Sequence, residues 1–378
     1  MKLTQAAVLT GFTAALLWGA EGRRKLWDLD LSKLTNRRAE QVWGIRFSPD
    51  ETKVAIGFGS NWNFDPSPRH IVVVAVDRPQ TVLHDFELDT PGSPLPFSRS
   101  IVWSPSATIL VAAIPPKPLM LRLDGKAPCV FPEDSTFGGF LSEDRMAISV
   151  RRPSPKDTLT EIRILNPDCS LADSWKTNQL ASLDDTSPEQ DLLAIMSFTA
   201  APDQSTIELV TSRTHSVTQR LIGAFPGDFL FSDHGRLLCG ANHREGRPPL
   251  PYVACWDTQT GAKTVENQGV ALNMWGPLFS AGGNLLAMTD YRYISREGSF
   301  WQILDISSYW VPKRELIWNA RTGKEVASWG ARQQEELRGR DFKSAQTRKT
   351  NFVLSLSPNG KYVAEGGSGS VSLYAVRP

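Results

Sequence analysis

Short apolar runs separated by turn residues follow one another along almost the whole chain. In seven places an apolar run ends beside a serine, a tight turn follows, and a second apolar run begins. The turn serines are Ser48, Ser104, Ser142, Ser187, Ser232, Ser280 and Ser357. Runs this short are typical of strands, and Ser, Pro, Asp, Asn and Gly are turn formers. The pattern therefore predicts seven β-hairpins, each with a second strand buried on both faces.

The spacing of these hairpins predicts one repeated unit. Successive turn serines are mostly 38 to 56 residues apart, and the last two are 77 apart. Four-stranded blades of β-propellers repeat every ~40–50 residues. We therefore predict an all-β fold, a seven-bladed β-propeller with four-stranded antiparallel blades. Insertions are expected at about 61–70, 243–251, 291–314 and 331–350.

A second signature, an aromatic strand leading into a Gly-bearing turn, supports the same fold. It is clearest at Trp256-Asp257-Thr-Gln-Thr-Gly261 and at Trp318-Asn-Ala-Arg-Thr-Gly323. Here the sequence resembles the WD40-repeat family of β-propellers, whose third and fourth strands are joined by Trp-Asp-x-x-Thr-Gly-Lys turns. The resemblance covers nearly all of residues 23–378 and implies a WD40-like propeller.

Residues 25–31 predict how the ring closes. The last unit, from 354 to 376, contains three apolar runs and no fourth. Near the start of the chain, Trp27, Leu29 and Leu31 alternate with aspartates, which is typical of a strand with one buried face. We predict that this N-terminal strand joins the last blade and completes it, so that no long strand edge stays unpaired.

Composition and charge fit one globular domain. The chain is 41% hydrophobic and 21% charged, which is unlike a disordered or collagen-like chain. With 41 basic and 40 acidic side chains, the net charge of +1 removes the whole-molecule electrostatic argument for binding nucleic acid or an anionic membrane. We expect a single propeller domain at 23–378, as a monomer.

Residues 1–22 have the layout of a secretory signal peptide. Lys2 precedes a charge-free apolar run, and Ala20 and Gly22 are small residues at the positions that a signal peptidase reads. The basic residues 23–25 disfavour translocation, so an uncleaved anchor or a simple leader helix stays open as an alternative. The expected location is the periplasm or the exterior, with the cytoplasm as the alternative. No later apolar run is long enough to span a bilayer.

Four cysteines are too few and too scattered for a disulfide framework. No two of Cys129, Cys169, Cys239 and Cys255 have the C-x-x-C spacing of a zinc site. In an exported protein, Cys239 and Cys255 form the better pair, because both lie in apolar runs expected to be neighbours in one sheet. Four buried thiols that pack as small hydrophobic side chains are the alternative.

Known catalytic motifs are missing from the sequence. It contains no G-x-S-x-G elbow, H-E-x-x-H, Walker loop or EF-hand spacing, and its five histidines lie in different units. The acid pair Asp184-Asp185 falls in a polar connection, and nothing indicates a buried acid/base couple. Residues 366–370, though Gly-rich, lie between two strands and predict a hairpin turn. We therefore predict no catalytic residue, cofactor or metal.

Aromatic and arginine residues in or beside the insertions are the binding candidates, because exposed aromatics with Arg and Pro around them are typical of interaction surfaces. The candidates are Trp62, Phe64, Tyr291, Tyr293, Trp301, Trp310, Arg338 and Arg340. Alternatively, the aromatics pin long loops to the ring. The predicted function is a non-enzymatic scaffold for another protein or a polymeric ligand. The alternative is a propeller enzyme, such as a lactonase-like hydrolase or quinoprotein-like oxidoreductase, with its site in the central channel.

Overall fold

The computed structural model describes most of the chain between residues 23 and 376. The described ranges are 23–36, 39, 41–59, 69–88, 100–113, 118–132, 134–152, 159–177, 181–197, 205–222, 229–243, 251–267, 279–295, 308–330, 353–367 and 369–376. The predicted leader at 1–22 and the insertion at 331–350 lie outside the described residues, as does most of the insertions at 61–70 and 243–251.

The described residues form seven antiparallel sheets arranged as a ring. Blade 1 contains β2 (Gln41–Phe47), β3 (Lys53–Gly59), β4 (Arg69–Ala75) and β5 (Val82–Leu88). Blade 2 contains β6 (Ile101–Trp103), β7 (Ile109–Ala112) and β8 (Leu119–Arg122). Blade 3 contains β9 (Ser135–Phe140), β10 (Met146–Arg152), β11 (Leu159–Leu165) and β12 (Leu171–Lys176), with a short 3-10 helix at Ser142–Asp144. Blade 4 contains β13 (Ala181–Ser187), β14 (Leu192–Ser197), β15 (Thr206–Thr211) and β16 (Val217–Ile222).

The remaining three blades follow in chain order. Blade 5 contains β17 (Phe229–Ser232), β18 (Leu237–His243), β19 (Pro251–Asp257) and β20 (Lys263–Asn267). Blade 6 contains β21 (Phe279–Gly282), β22 (Leu285–Ser295), β23 (Ser308–Asn319) and β24 (Glu325–Gly330). Blade 7 contains β25 (Val353–Leu356), β26 (Tyr362–Gly367), β27 (Ser370–Val376) and, from the start of the chain, β1 (Arg23–Asp30). A one-turn helix, α1 (Leu31–Thr35), follows β1. The innermost strands of neighbouring blades contact one another around the whole ring, which confirms the predicted seven-bladed propeller.

Ring closure by the N-terminal strand is also confirmed. β1 pairs with β27 in an antiparallel register that places Asp30 opposite Ser370 and Leu29 opposite Val371. At its end, the Asp30 side chain caps α1 by accepting a hydrogen bond from the Lys33 amide, 3.2 Å away. The first and last segments of the described chain are therefore held in one sheet.

Apolar packing between blades explains why the second and third strands of a blade are buried on both faces. Within the described residues, seven apolar clusters form, one at each joint between neighbouring blades. Every residue of β4 is buried, and Val72 and Val73, next to each other in sequence, belong to the clusters on opposite sides of blade 1. A middle strand thus contributes alternate side chains to two joints.

Blade 2 departs from the four-stranded pattern. Beyond β8, the described chain forms a single bridge between Val130 and Leu119 in place of a fourth strand. Pro128 has no amide hydrogen for a ladder bond. Cys129 is joined by a disulfide to Cys169 in the turn between β11 and β12 of blade 3. The segment is thus tied to the neighbouring blade instead of extending its own.

The second disulfide lies inside blade 5. Cys239 of β18 and Cys255 of β19 are register partners and are joined, as their strand positions favour. The sequence allowed one or two disulfides in an exported protein, but it did not single out the Cys129–Cys169 pair. In the part of the chain that the structure describes, no helix has the length and apolar character needed to cross a bilayer.

Serine hydroxyls close several of the predicted turns. Ser48, Ser104 and Ser357 each accept a hydrogen bond at 3.0–3.1 Å from the backbone amide five residues later. The sixth copy differs, since Ser280 lies within β21 and the turn is formed by Gly283 and Asn284. Gly283 has φ +56°, a left-handed conformation that Gly adopts without strain. The hairpin is therefore present, but its turn is three residues later than predicted.

Candidate functional site

The strand order gives the ring two different faces. The turns between first and second strands and between third and fourth strands lie on one face, which we call the Ser-turn face. The connections between second and third strands, and those between blades, lie on the opposite face, which we call the insertion face. The predicted insertions at 61–70, 243–251 and 291–314 fall where second and third strands are connected, and the one at 331–350 falls between blades 6 and 7, so all four belong to the insertion face.

Some binding candidates lie in described strands and the others lie outside them. Trp62, Phe64, Trp301, Arg338 and Arg340 are outside the described residues. Tyr291 and Tyr293 lie in β22, and Trp310 lies in β23. The structure therefore brings three of the eight candidates together in one hairpin of blade 6.

This hairpin extends beyond its blade. β22 has 11 residues and β23 has 12, whereas the second and third strands of blade 1 have seven each. We call the paired segments 291–295 and 308–312 the blade 6 ribbon. In its register, Tyr293 is opposite Trp310 and Tyr291 is opposite Pro312. Three candidate aromatics thus occupy register positions within a few residues of one another.

Only the two ribbon strands pair with each other in this region of the described chain. β21 pairs with β22 as far as Met288, and β24 pairs with β23 back to Arg314. Beyond those residues, the outer backbone edges of both ribbon strands have no ladder partner among the described strands. Unpaired edges are templates on which another chain can add a strand.

A bulge and a charged cluster mark the base of the ribbon. The register shifts between Asp290 and Tyr291, so that Lys313 of β23 has no ladder partner. Such a bulge bends and twists a strand pair, and Pro312 beside it is at a position where Pro is tolerated. Asp290 is 2% exposed and accepts a 3.1 Å hydrogen bond from Arg314 Nε, while Lys313 Nζ is 3.8 Å away. The ribbon base is therefore fixed to the blade.

The central channel opens on the Ser-turn face in a cavity of about 360 Å³. Phe47, Phe140 and Leu356 contribute apolar lining from three blades. Four ionisable residues line the same cavity: Arg46, Asp185, Glu189 and His234. Asp185 accepts a 2.7 Å hydrogen bond from the Phe231 amide of the next blade, and His234 Nδ1 is 3.9 Å from Glu189 Oε1. The cavity at this end of the channel thus combines an apolar wall with acidic and basic groups.

The prediction that Asp184 and Asp185 lie in a polar connection is wrong. Both residues lie in the innermost strand β13. The register of β13 shifts between Leu183 and Asp185, so that Asp184 is the extra residue of a bulge. Because a bulge changes which side chains face the partner strand, simple alternation does not reveal Asp185 as a channel residue.

Hydrogen bonds join neighbouring blades on the Ser-turn face. Asp191 of blade 4 accepts hydrogen bonds from Ser142 Oγ at 3.0 Å, from Arg145 at 3.1 Å, and from Arg213 Nε at 2.9 Å. Burial acts to raise the pKa of Asp191, but the hydrogen bonds from Arg213 and Ser142 and the charge of Arg145 hold that pKa below its ordinary value. The blade 3–4 joint therefore contains an ionic tie as well as its apolar cluster.

Other joints on this face are tied in the same way. The Ser106 amide donates to Asp144 Oδ1 at 2.9 Å, between blades 2 and 3. The Asn359 amide donates to Glu51 Oε1 at 2.7 Å, between blades 7 and 1. Arg321 of blade 6 pairs with Asp233 of blade 5. Such ties limit movement of one blade against the next.

Among the described residues, no group of three or more His, Cys, Asp or Glu side chains is placed to hold a metal ion. No family model matches the chain, and no curated protein sequence matches it. Among solved structures, the chain is similar to a hydrazine synthase chain from Kuenenia stuttgartiensis, with a TM-score of 0.55 and 11% sequence identity over 90% of this chain and 97% of that chain. At this identity, the similarity shows the shared β-propeller fold alone.

Proposed function

We propose that this β-propeller is a non-enzymatic scaffold that binds another protein through the blade 6 ribbon. The observation that carries the proposal is the extension of β22 and β23 past the other two strands of their blade, with Tyr293 and Trp310 as direct register partners. The four-stranded sheet of blade 6 is complete without this extension, so the fold alone does not explain it. Tyr and Trp are the residues most enriched in the parts of interfaces that dominate binding energy.

The ribbon favours a protein partner over a polymer of another kind. Its two strand edges offer backbone donors and acceptors to which a segment of a partner can hydrogen-bond as an added strand. A bulge and the Asp290–Arg314 pair fix the ribbon base, so little order has to be gained on binding. The ties between blades supply a rigid support beneath it.

We further infer that the repeats are diverged WD40 repeats and that the protein is exported. In the turn after β19, Asp257 Oδ1 accepts hydrogen bonds from the amides of Gln259 at 3.0 Å and Thr260 at 2.8 Å, and Gly261 has φ +70°. The Asn319 turn after β23 is built in the same way. Export is supported by the two disulfides, which persist in oxidising compartments.

Replacing the ribbon tests the proposal. In one variant, residues 291–312 are replaced by a short Gly-Asn turn between Asp290 and Lys313; in another, Tyr293→Ser and Trp310→Ser are combined. Each variant and the wild type are used to isolate partners from the native source, and affinity for the isolated partner is then measured. Loss of two central aromatics should weaken binding by at least about 30-fold, which corresponds to ~2 kcal/mol.

The matched control removes exposed apolar side chains from a different part of the ring. Leu171 is 57% exposed and Val217 is 39% exposed, on the outer strands of blades 3 and 4. The variant Leu171→Ser with Val217→Ser should bind as the wild type does. Equal loss in the control and ribbon variants, or wild-type affinity in the ribbon variants, would refute the docking role of the ribbon.

A second candidate, a small-molecule ligand or substrate in the central channel, is favoured by the cavity on the Ser-turn face. That cavity of about 360 Å³ combines apolar walls with Arg46, Asp185 and His234, a composition common in ligand sites. The variant Asp185→Asn tests it in a thermal-shift screen of small charged metabolites. A ligand that stabilises the wild type and not this variant supports the channel site, while equal shifts in both proteins count against it.

A further inference from the structure

Two glutamates face each other at the buried joint between blades 6 and 7. Glu315 lies in β23 of blade 6 and Glu365 lies in β26 of blade 7, and their exposed fractions are 2% and 3%. The residues around them are otherwise those of an apolar cluster that includes Ile317, Trp329 and Val363. Carboxyl groups are rarely buried to this extent unless they are paired.

Among the charged groups around Glu315, Glu365 acts on it most strongly, and the negative charge of Glu365 disfavours a second charge there. The indole Nε1 of Trp329 also donates to Glu315 Oε2, at 2.8 Å. Glu315 and Glu365 are 2% and 3% exposed, and two buried carboxylates that both carry a charge repel each other and lose their hydration. A proton on one of the two carboxyl groups removes that cost.

Arg23 connects this acid pair to the strand that closes the ring. It lies in β1 and forms an ion pair with Glu365. Its guanidinium is also stacked between two rings, 3.9 Å from the centroid of Trp329 and 4.1 Å from that of Tyr374. One guanidinium balances one carboxylate, so the ion pair of Arg23 with Glu365 leaves Glu315 as the carboxyl that carries a proton. Trp329 of β24 donates to Glu315, and Arg23 of β1 links Glu365 of β26 to Trp329 and to Tyr374 of β27.

We propose that the propeller closes around this proton: the blade 6–7 joint, with the docked N-terminal strand, is firm while Glu315 is protonated and is loosened when rising pH removes that proton. Among the described residues, Arg23 is the largely buried cation of this joint and already pairs with Glu365, so a second negative charge there is not balanced by it. The joint affected is the one at which β1 completes the ring. Ring closure is therefore pH-sensitive, independently of what the ribbon binds.

Charged and titratable groups of several described elements surround the two glutamates. Glu365 on β26 and Arg23 on β1 act on Glu315, while Tyr374 on β27 lies against Arg23, with Lys25 Nζ of β1 5.8 Å from the Tyr374 ring. Arg314, next to Glu315 in β23, pairs instead with Asp290 and Glu325. Burial raises the pKa of Tyr374 further above its ordinary value of 10.0, so this phenol stays neutral until strongly alkaline pH.

The direction of the pH effect follows from Glu315. Burial, and then the charge of Glu365 and the hydrogen bond to it, raise the pKa of Glu315 well above its ordinary value of 4.5. A carboxyl whose pKa is higher in the folded chain stabilises the fold fully below its unfolded pKa, and the stabilisation is lost as pH rises towards the folded pKa. Between the unfolded and the folded pKa of Glu315, the folded chain binds one proton more than the unfolded chain. The unfolding equilibrium constant therefore rises about tenfold per pH unit in that range.

Solvent can reach the pair from a neighbouring cleft. A cavity of about 430 Å³ is lined by Arg23, Glu365, Tyr374 and Gly330, among others. Glu365 thus belongs both to the acid pair and to the cleft wall. The cleft therefore brings solvent to the Glu365 side of the acid pair.

The experiment compares the full-length wild type with Glu315→Gln, because an amide keeps the shape and hydrogen bonding of a neutral carboxyl but cannot ionise. Urea unfolding is measured from about pH 5 to about pH 9, together with hydrogen exchange of the β1 amides at each pH. The wild type should lose stability as pH rises, by up to about tenfold in the unfolding constant per unit, and β1 should lose protection with it. The Glu315→Gln protein should lose this component of the pH dependence.

The matched control is Glu325→Gln, an exposed glutamate of the same blade, whose pH profile should follow that of the wild type. Parallel profiles for the wild type and Glu315→Gln would overturn the proposal. Infrared difference spectra of the unmodified protein remain decisive if Glu315→Gln does not fold. A protonated-carboxyl C=O band that survives at neutral pH and disappears at alkaline pH supports the proposal, and no such band at neutral pH refutes it.

Discussion

Trp27 of the N-terminal strand donates an indole hydrogen bond to the backbone carbonyl of Val76, 2.9 Å away in blade 1. The same strand pairs through its backbone with β27 of blade 7. β1 thus holds two neighbouring blades at once, by a ladder on one side and by a side chain on the other.

Deleting residues 23–31 should unfold the protein or make it oligomerise. The deletion exposes the edge of β27 and removes Leu29 and Leu31 from the apolar cluster between blades 7 and 1. Light scattering after gel filtration and a thermal melt measure the outcome. A monomer with an unchanged melting curve would contradict this role of β1.

The milder substitution Trp27→Phe tests the contribution of the indole hydrogen bond alone and leaves the backbone pairing of β1 in place. It keeps an aromatic ring in the partly buried site and removes the donor to Val76. The expected cost is about 0.5–1.5 kcal/mol in the free energy of unfolding, measured by urea denaturation. Leu26→Ala is the control, since Leu26 is 38% exposed on the same strand, and it should change stability by less than about 0.5 kcal/mol.

Asp191→Asn should weaken the joint between blades 3 and 4 in a pH-dependent way. Because the folded pKa of Asp191 is lowered, its contribution is present above the unfolded pKa, near 3.8, and is lost as pH falls through the folded pKa. We expect a loss of about 1–2 kcal/mol at pH ~7 that shrinks in strong acid. Asp77→Asn, in an exposed pair with Arg78, is the control. A loss that is independent of pH would contradict the ionic tie.

Two glycines should respond differently to substitution by alanine, one with a loss of stability and the other with no change. A Cβ on Gly57 would lie 2.6 Å from the ring of Trp43, which is 2% exposed. Gly57→Ala should therefore cost about 1–3 kcal/mol through overpacking. A Cβ on Gly330 would meet no heavy atom within 4 Å among the described residues, so Gly330→Ala should be neutral. Similar melting temperatures for both variants would show that blade 1 relaxes around the added methyl group.

Removing each disulfide should destabilise the protein to a different extent. Cys129 and Cys169 are 40 residues apart and join two blades, whereas Cys239 and Cys255 are 16 apart within one. From loop-closure entropy, double Cys→Ala variants should lose about 4 and about 3 kcal/mol respectively. Denaturant unfolding without reductant measures both losses, and mass spectrometry confirms the bonds. A larger loss for the within-blade pair would contradict the loop argument.

Much of the fold follows directly from local sequence. The turn serines are identifiable because a Ser hydroxyl satisfies an amide in a tight turn, as Ser48 does for Lys53. The closing strand is identifiable because Trp27, Leu29 and Leu31 alternate with polar residues. These features depend on neighbours a few residues away, and the sequence contains them.

The candidate sites were harder to predict from the sequence, because they depend on strand register and on partner residues from other blades. Asp185 reaches the channel through a bulge at Asp184, which alternation does not reveal. Pro128 offered a signal that blade 2 lacks a regular fourth strand. Glu315 and Glu365 each lie inside an otherwise apolar strand run, and this pattern indicates a buried acid. Their pairing across two blades was not predictable from either segment alone.

Site-specific photo-crosslinking can show whether a partner protein docks on the blade 6 ribbon. A photoreactive amino acid is placed at Tyr293 in the blade 6 ribbon or, as the matched position on the Ser-turn face, at the exposed Gln190. In the native source, we expect one dominant protein adduct from position 293 and none of that adduct from position 190. The same adduct from position 190, with none from position 293, would contradict docking at the ribbon.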